Sequence, residues 1–342
     1  MASDSNDPVS DTLFLPFELG ALPRPARALF LRARESVAAR RHRDALSCEQ
    51  TFKPDTDALV HAGFTLANNL ERFPLALVLL PRQRDEARAL LARAASMLEP
   101  GGRIVAAAAN NEGARSGESA LEQLAGAVSS LSKHKCRVFW SAPLSAPPAL
   151  QSQWLELDAA RPIAEGRFVS RPGVFAWDRI DPASHLLVAN LPNTLAGHAA
   201  DLGCGFGYLS AELLARCPRI TDLHAYEAEQ RALNLARTNL APFESRAKIE
   251  YHWHDVTRGL PHRYDVIVMN PPFHTQSRAD RPDIGRRFIG VAAEALKPNG
   301  SLWLVANRHL PYEEQLGRNF EATRVVAQAH GFKIVHAVKS KS

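Results

Sequence analysis

One short stretch restricts what this chain can fold into. Residues 199–207 read Ala-Ala-Asp-Leu-Gly-Cys-Gly-Phe-Gly and join two regular elements. An apolar strand ends at Asp201 and Leu202, and a helix begins at once, with Tyr208, Leu209, Leu213 and Leu214 at helical spacing. Gly203, Gly205 and Gly207 occupy alternate positions between them, where the chain must turn sharply and a ligand can approach bare backbone. The first turn of the helix offers unpaired N–H groups and the positive end of a dipole. About twenty residues later a second strand, 223–226, ends in Glu227, placed like the acid that accepts both ribose hydroxyls in dinucleotide folds. Structural turns use glycine as well, so the triplet alone leaves a ligand-free turn open.

Two details sharpen the reading. Asp201 precedes the first glycine, which is unfavourable beside a pyrophosphate but suits a ligand ammonium. The spacing is Asp-x-Gly-x-Gly-x-Gly, not the dinucleotide pattern Gly-x-Gly-x-x-Gly. This resembles motif I of the class I methyltransferases, whose cofactor, S-adenosylmethionine, carries an amino acid and a sulfonium instead of phosphates. Further on, the apolar run 264–269 ends in Asn270-Pro271-Pro272-Phe273-His274. Two consecutive prolines can neither extend a ladder nor enter a helix, so they make a stiff loop at the carboxyl end of the strand, the edge where ligands sit in open α/β sheets. A rigid strand terminator accounts for the prolines but not for Asn270 and Phe273. The tetrapeptide resembles motif IV of methyltransferases that modify a planar amide or an exocyclic amine.

The first half of the chain repeats the pattern of the second without its chemistry. A strand over 75–81 and a helix over 85–98 lead into Leu-Glu-Pro-Gly-Gly-Arg-Ile-Val, just as a later helix leads into Leu296-Lys-Pro-Asn-Gly-Ser-Leu-Trp. A late strand within 133–140 parallels one within 329–336. The first copy lacks the glycine loop and has Leu80-Pro81-Arg82 where the second has Asn-Pro-Pro-Phe. These correspondences predict an internal duplication: two tandem α/β, Rossmann-like domains of the class I methyltransferase type, the N-terminal one degenerate. With 342 residues, 46% of them hydrophobic, the chain can bury two cores. The Ala/Pro/Ser-rich stretch 141–150 predicts a boundary there, with domains of 1–150 and 151–342. In the second, strands are predicted near 199–202, 222–227, 248–252, 265–270 and 301–306, with helices near 208–216, 228–240 and 284–297. A helix from about 311 and strands near 323–329 and 332–338 follow.

Composition bounds the setting. No apolar run reaches the length of a membrane span, and the acidic N-terminus is unlike a signal peptide. The four cysteines form no Cys-x-x-Cys pair, which fits reduced thiols in a cytoplasm. A net charge of +5 and a pI near 9.2 favour a polyanionic partner. Arginines recur at 24, 27, 32, 34, 40, 41 and 43 within 12–46, read here as an apolar-proline segment running into a helix with one basic face. That face is either solvated or in contact with phosphate. A second group, Arg278, Arg281, Arg286 and Arg287, follows the Asn-Pro-Pro-Phe loop and is the expected RNA contact. His252 and His254 have no third or fourth metal ligand spaced nearby, so no metal is expected. Asp255 is read as an acceptor for the adenine amine.

Taken together, the chain resembles the small-subunit ribosomal RNA guanine-N2 methyltransferase family, the RsmC type, over most of its length. The likeness is carried by 132–137, Pro172-Gly-Val-Phe175, the glycine loop, Asn270 to His274, and 305–311. Asp181-Pro-Ala-Ser184 stands where the family tends to show Asp-x-Gly-Ser/Thr, and the first fifty residues match poorly. The resemblance implies methylation of the exocyclic N2 amine of a guanine in 16S rRNA, guanine 1207, by a cytoplasmic monomer whose partner is ribosomal RNA or the small subunit. Asn270, Pro271, Pro272 and Phe273 are the expected catalytic residues. Asp201, Gly203, Gly205, Gly207, Glu227, Asp255 and Asn270 are expected to hold S-adenosylmethionine. A large-subunit guanine, another RNA amine such as adenine N6, a protein glutamine, or a non-catalytic RNA-binding role in ribosome assembly remain alternatives at this stage.

Overall fold

A computed structural model describes residues 7–67, 71–272 and 282–341. The chain divides into two units: residues up to Ala160 together with Arg171–Gly173, and Arg161–Ser170 together with everything from Val174 on. In the first unit, strands β1 (Ala28–Leu31), β2 (Leu46–Glu49), β3 (Thr65–Leu66), β4 (Phe73–Leu79), β5 (Leu98–Ala109), β6 (Val128–Lys133) and β7 (Cys136–Ser141) form one sheet in the order β3-β2-β1-β4-β5-β7-β6. Helices α1 (Pro8–Glu18), α2 (Val37–Arg40), α3 (Lys53–His61), α4 (Arg84–Ser96), α5 (Ala114–Ala125) and α6 (Gln151–Leu155) accompany it.

The second unit opens with an antiparallel ribbon, β8 (Arg161–Ile163) and β9 (Phe168–Ser170). Its main strands are β10 (Ala196–Leu202), β11 (Arg219–Glu227), β12 (Lys248–Trp253), β13 (Tyr264–Met269), β14 (Leu296–Asn307), β15 (Ala322–Ala329) and β16 (Phe332–Val338). They form a sheet ordered β12-β11-β10-β13-β14-β16-β15, the same order as the first. Its helices are α7 (Pro182–Asn190), α8 (Tyr208–Arg216), α9 (Gln230–Leu240), α10 (Pro282–Ala295) and α11 (Glu313–Asn319). In each sheet only the last two strands of the order pair antiparallel. Strands covered on both faces read as continuous apolar runs, and Val266–Met269 is buried throughout.

The duplication shows in detail. β5 and β14 are both twelve residues long and have the same succession of buried and exposed positions. Each turns through Pro and a residue of positive φ, Gly101 at 83° and Asn299 at 62°. Register then aligns the two copies. Phe30 faces Leu77 where Asp201 faces Val268, so a phenylalanine occupies the place of the motif I acid. Arg32, in the place of Gly203, donates from Nη1 to the Leu79 carbonyl at 3.2 Å.

Two sequence expectations are corrected. The arginine-rich run within 12–46 is not one helix: α1 lies at Pro8–Glu18, and Leu29, Phe30 and Leu31 are wholly buried in β1. Pro23 and Pro25 bar a helix there, and a fully buried strand carries no alternation by which to recognise it. Arg34, Arg40, Arg41 and Arg43 pair with Asp7, Glu35, Glu18 and Asp44 on the surface of the unit. The first unit also runs about ten residues beyond the Ala/Pro/Ser-rich stretch. Trp154 of α6 is buried there, with the Arg88 guanidinium of α4 5.1 Å above its ring, and this anchor holds α6 to the first core. Among the described residues no helix is long and apolar enough to cross a membrane. All four cysteines are free and buried.

Candidate active site

Topology sets the location. β10 connects outward to β11 on one side of the sheet, and β13 connects to β14 on the other, so the chain direction diverges between β10 and β13. Leu202 lies directly opposite Met269 in register, and the next residues, Gly203 and Asn270, leave the sheet side by side. Between them opens a cleft of ≈ 400 Å³, its mouth included, lined among others by Phe175, Asp181, Ser184, Gly205, Tyr208 and Asn270.

The glycine loop is built as its spacing requires. Gly203 and Cys204 donate their N–H groups to the Tyr226 carbonyl at 2.9 and 3.0 Å, which ties the loop to the end of β11. Gly205 has φ of 56°, and a side chain added there would point into open space. Gly207, at φ 92°, begins α8, and its Cα face lies against Ala236 of α9, which a Cβ would meet at 3.3 Å. Asn239 of α9 holds the same loop through the Phe206 carbonyl at 2.7 Å and clamps β9 through both polar groups of Val169.

The two acids of this motif differ in setting. Glu227 is partly exposed at the end of β11; it accepts from Gly205 N and Glu229 N, both at 2.8 Å. Burial pushes its carboxyl above the ordinary range. Asp201 is wholly buried behind the loop and does not line the cleft. Its Oδ2 accepts from Ser210 Oγ at 2.7 Å, while its Oδ1 has no hydrogen-bond partner. Burial, with the charge of Glu227 nearby, raises its carboxyl to about 7. An unpaired buried acceptor costs ~1–3 kcal/mol, and a cationic group beside it would recover that cost. The donor set therefore fits a ligand with hydroxyls at Glu227 and an ammonium near Asp201.

At the opposite lip, Asn270 is held by two groups of α7. Its Nδ2 donates to Asp181 Oδ2 at 3.1 Å and to Ser184 Oγ at 2.9 Å. Asp181 is the N-cap of α7, accepting from Ser184 N at 2.8 Å, with Pro182 in the first turn. A carboxylate only accepts, so it dictates which end of the amide faces it. Nδ2 is spent on α7 and Oδ1 is left for the cleft. Pro271, buried, and Pro272, exposed, follow. Phe273, Arg278 and Arg281 lie outside the described residues. Phe175 stands at the cleft with 65% of its surface exposed, unusual for a phenylalanine.

The remaining sequence candidates stand farther from the cleft's lining. Asp255 caps the short turn 256–258, accepting at Oδ1 from Thr257 N at 2.9 Å and Thr257 Oγ1 at 2.7 Å. Arg286 and Arg287 are exposed on α10, and Arg287 Nε donates to the Thr257 carbonyl at 2.7 Å. Sequence reasoning misses Asp181 and Ser184 as partners of Asn270. Their signal is present in Asp181-Pro-Ala-Ser184, which keeps the acid and the hydroxyl of the family pattern and changes only its glycine, to the buried Ala183.

Comparison with known proteins agrees with this architecture. Residues 165–336 match the family described as Methyltransferase small domain, and residues 23–157 match Methyltransferase small domain N-terminal. A curated relative from Pseudomonas aeruginosa, ribosomal RNA small subunit methyltransferase C, is 34% identical, the match covering 78% of this chain and 79% of that one. The chain belongs to the ribosomal RNA small subunit methyltransferase C family. A member from Shewanella pealeana is 30% identical over 82% of the chain and 81% of its own length. In fold, the chain superposes on the Thermus thermophilus 16S rRNA N2 G1207 methyltransferase, solved with AdoMet and guanosine, with a TM-score of 0.78. That likeness has 24% identity and covers 98% of this chain and 93% of that one. Both units of this family member thus have the α/β sheet of a methyltransferase, and only the second has a glycine loop and an Asn-Pro-Pro segment at the switch point.

Proposed function

We propose that the second unit transfers a methyl group from S-adenosylmethionine to the exocyclic N2 amine of a guanine in small-subunit ribosomal RNA, at the position equivalent to guanine 1207. The observation that carries this reading is the Asn270 amide, whose Nδ2 is fixed by Asp181 and Ser184 so that Oδ1 is available to accept. Gly203, Gly205 and Gly207 would hold the cofactor's amino-acid end, with Asp201 behind them compensating its ammonium. Glu227 would accept from its ribose hydroxyls, and Asp255 Oδ2, which lies 3.6 Å from Arg258 Nε, from its adenine amine. When bound, this cofactor supplies an electrophilic methyl group on a sulfonium.

What the protein must add follows from the chemistry of the guanine amine. Its lone pair is delocalised into the ring, so it is a poor nucleophile at neutral pH. Asn270 Oδ1 and the Pro271 carbonyl accept its two N–H groups and turn the lone pair out of conjugation towards the cleft. As the nitrogen becomes positive in the transition state, both acceptors bind it more tightly, and that increment is their catalytic share. Pro272 stiffens the loop, and Phe273 stacks on the base, an interaction worth ~1–3 kcal/mol. Exposed Phe175 gives the cleft a second aromatic face. No strong base is needed, because the proton can pass to water after transfer. A paired guanine must first be flipped out, at a cost of a few kcal/mol.

Arg278, Arg281, Arg286 and Arg287 would meet phosphates flanking that base, and the first unit would dock RNA or support its partner. Mass-spectrometric mapping of modified nucleotides in 16S rRNA, with and without the gene, tests the assignment. It requires loss of one N2-methylguanine at that position and its restoration by the purified chain. An unchanged methylation map refutes it.

A further inference from the structure

A group of side chains on the second sheet has no part in this chemistry. His224 of β11 lies directly opposite Glu250 of β12, and Tyr226 opposite His252, so all four project from one face of the sheet. His262, from the loop before β13, meets the His224 ring edge-on with centroids 4.9 Å apart. One ligand atom from each of His224, Glu250 and His262 lies within 4.8 Å of the others, and His224 Nε2 is 3.7 Å from Glu250 Oε2.

We infer that His224, Glu250 and His262 form a binding site for a divalent transition-metal ion of the zinc class. Two imidazoles and one carboxylate are a ligand set such ions favour, with water in the fourth position. Zinc bonds of ~2.0–2.2 Å in a tetrahedron put ligand atoms about 3.3–3.6 Å apart, so the trio must close slightly. The structure leaves it room to do so. His262 is exposed and Glu250 partly exposed, while the buried His224 is the fixed point.

The surroundings of His224 supply what a ligating histidine requires. Its Nδ1 is 3.0 Å from Tyr264 Oη, which in turn lies 2.6 Å from Tyr226 Oη. With the proton on Nδ1 and directed at that oxygen, the Nε2 lone pair faces Glu250, the usual arrangement in which an outer hydrogen bond fixes tautomer and ring. His252 Nε2, 3.1 Å from the same Nδ1, is a second acceptor for that proton. His254, the other half of the His-Trp-His pair in the sequence, meets the Tyr226 ring edge-on at 5.7 Å and bonds the Gly259 carbonyl at 2.7 Å. The pair visible in the sequence is therefore not the ligand pair; strand register assembles a different one. Lys248 holds the other oxygen of Glu250 and competes for its charge. A bound ion would clip β11, β12 and the loop leading to β13 into one unit, next to the Asp255 turn.

The test is titration of the full chain with Zn²⁺, free of chelator, followed calorimetrically and by thermal unfolding, and repeated with Co²⁺ for its visible spectrum. The site predicts one equivalent bound, a raised Tm, and tetrahedral Co²⁺ bands without thiolate charge transfer. Glu250→Gln and His262→Ala, at partly exposed and exposed positions, should each weaken binding by about tenfold or more, with the unfolding temperature of the metal-free chain unchanged. Lys248→Gln should tighten it. Absence of stoichiometric binding, a thiolate spectrum, or affinity undiminished in both ligand variants overturns the site and leaves a hydrogen-bonded histidine cluster.

Discussion

Removing the Asp181 carboxylate should slow methyl transfer without loosening the cofactor. In the native arrangement, Asn270 Nδ2 donates to Asp181 Oδ2 at 3.1 Å and Ser184 Oγ at 2.9 Å. Rotating the amide by half a turn would set its oxygen against a carboxylate, so the correct orientation is favoured by at least one charged hydrogen bond, ~1.5–3 kcal/mol. Asp181→Ala leaves only Ser184 Oγ, a hydroxyl that serves either end of the amide. The bias towards Oδ1 in the cleft, about 10–100 to 1 at 1.4 kcal/mol per decade, then falls to about 1 to 1, and the single-turnover rate should drop by about twofold from orientation alone. The α7 cap is lost as well, for about 1 kcal/mol of stability, which thermal unfolding reads separately. Asp181→Asn keeps an acceptor oxygen for both Asn270 and Ser184 N and should restore most of the rate. Rapid-quench methylation of RNA with saturating cofactor, beside calorimetric cofactor affinity, makes the measurement. An alanine variant at full rate, or one whose loss lies wholly in cofactor affinity, refutes the positioning role.

Other consequences follow from the same geometry. Gly205→Val should abolish S-adenosylmethionine binding, since its side chain would enter open cleft space; Glu227→Ala should weaken binding by about 1–3 kcal/mol, and unchanged calorimetric affinity in both would remove that cradle. Asp201, raised to about 7 from an ordinary 3.8, keeps a proton in the folded chain that the unfolded chain has already released. Its contribution therefore declines as pH rises from about 4 to about 7, by up to about 4 kcal/mol at 1.36 kcal/mol per pH unit. Asp201→Asn should gain on the parent across that window in denaturant unfolding, and a pH-independent difference contradicts the burial argument. Neutralising Arg278, Arg281, Arg286 and Arg287 should lower the salt slope of RNA binding by about one for each phosphate no longer neutralised. An unaltered slope would make them solvated surface.

How much of the molecule is legible in its sequence depends on how local each signal is. The glycine loop, Glu227 and Asn-Pro-Pro are each contiguous, and strand–turn–helix periodicity places them at the same sheet edge. The duplication is visible because Pro-Gly and Pro-Asn-Gly turns recur at equal spacing, and the two sheets share one strand order. β1 escapes because Leu29, Phe30 and Leu31 are buried on both faces and their arginine neighbours imitate an amphipathic helix. The role of Asp181 is hidden by sequence distance, since its bond to Asn270 spans 89 residues. Asp201 reads in sequence as a wall of the ligand site, and only packing reveals that it lies behind the loop. The histidine cluster depends on strand register, which no spacing within 252–254 encodes.

The proposed chemistry stands or falls on Asn270 Oδ1 accepting from the guanine amine in the transition state. Single-turnover methylation by Asn270→Ala, measured beside its cofactor affinity, isolates that interaction. The rate should fall by about 10²–10³, as for other preorganised polar groups in active sites, with S-adenosylmethionine bound nearly as in the parent. An Asn270→Ala chain that methylates guanine at full rate would show that the amide takes no part.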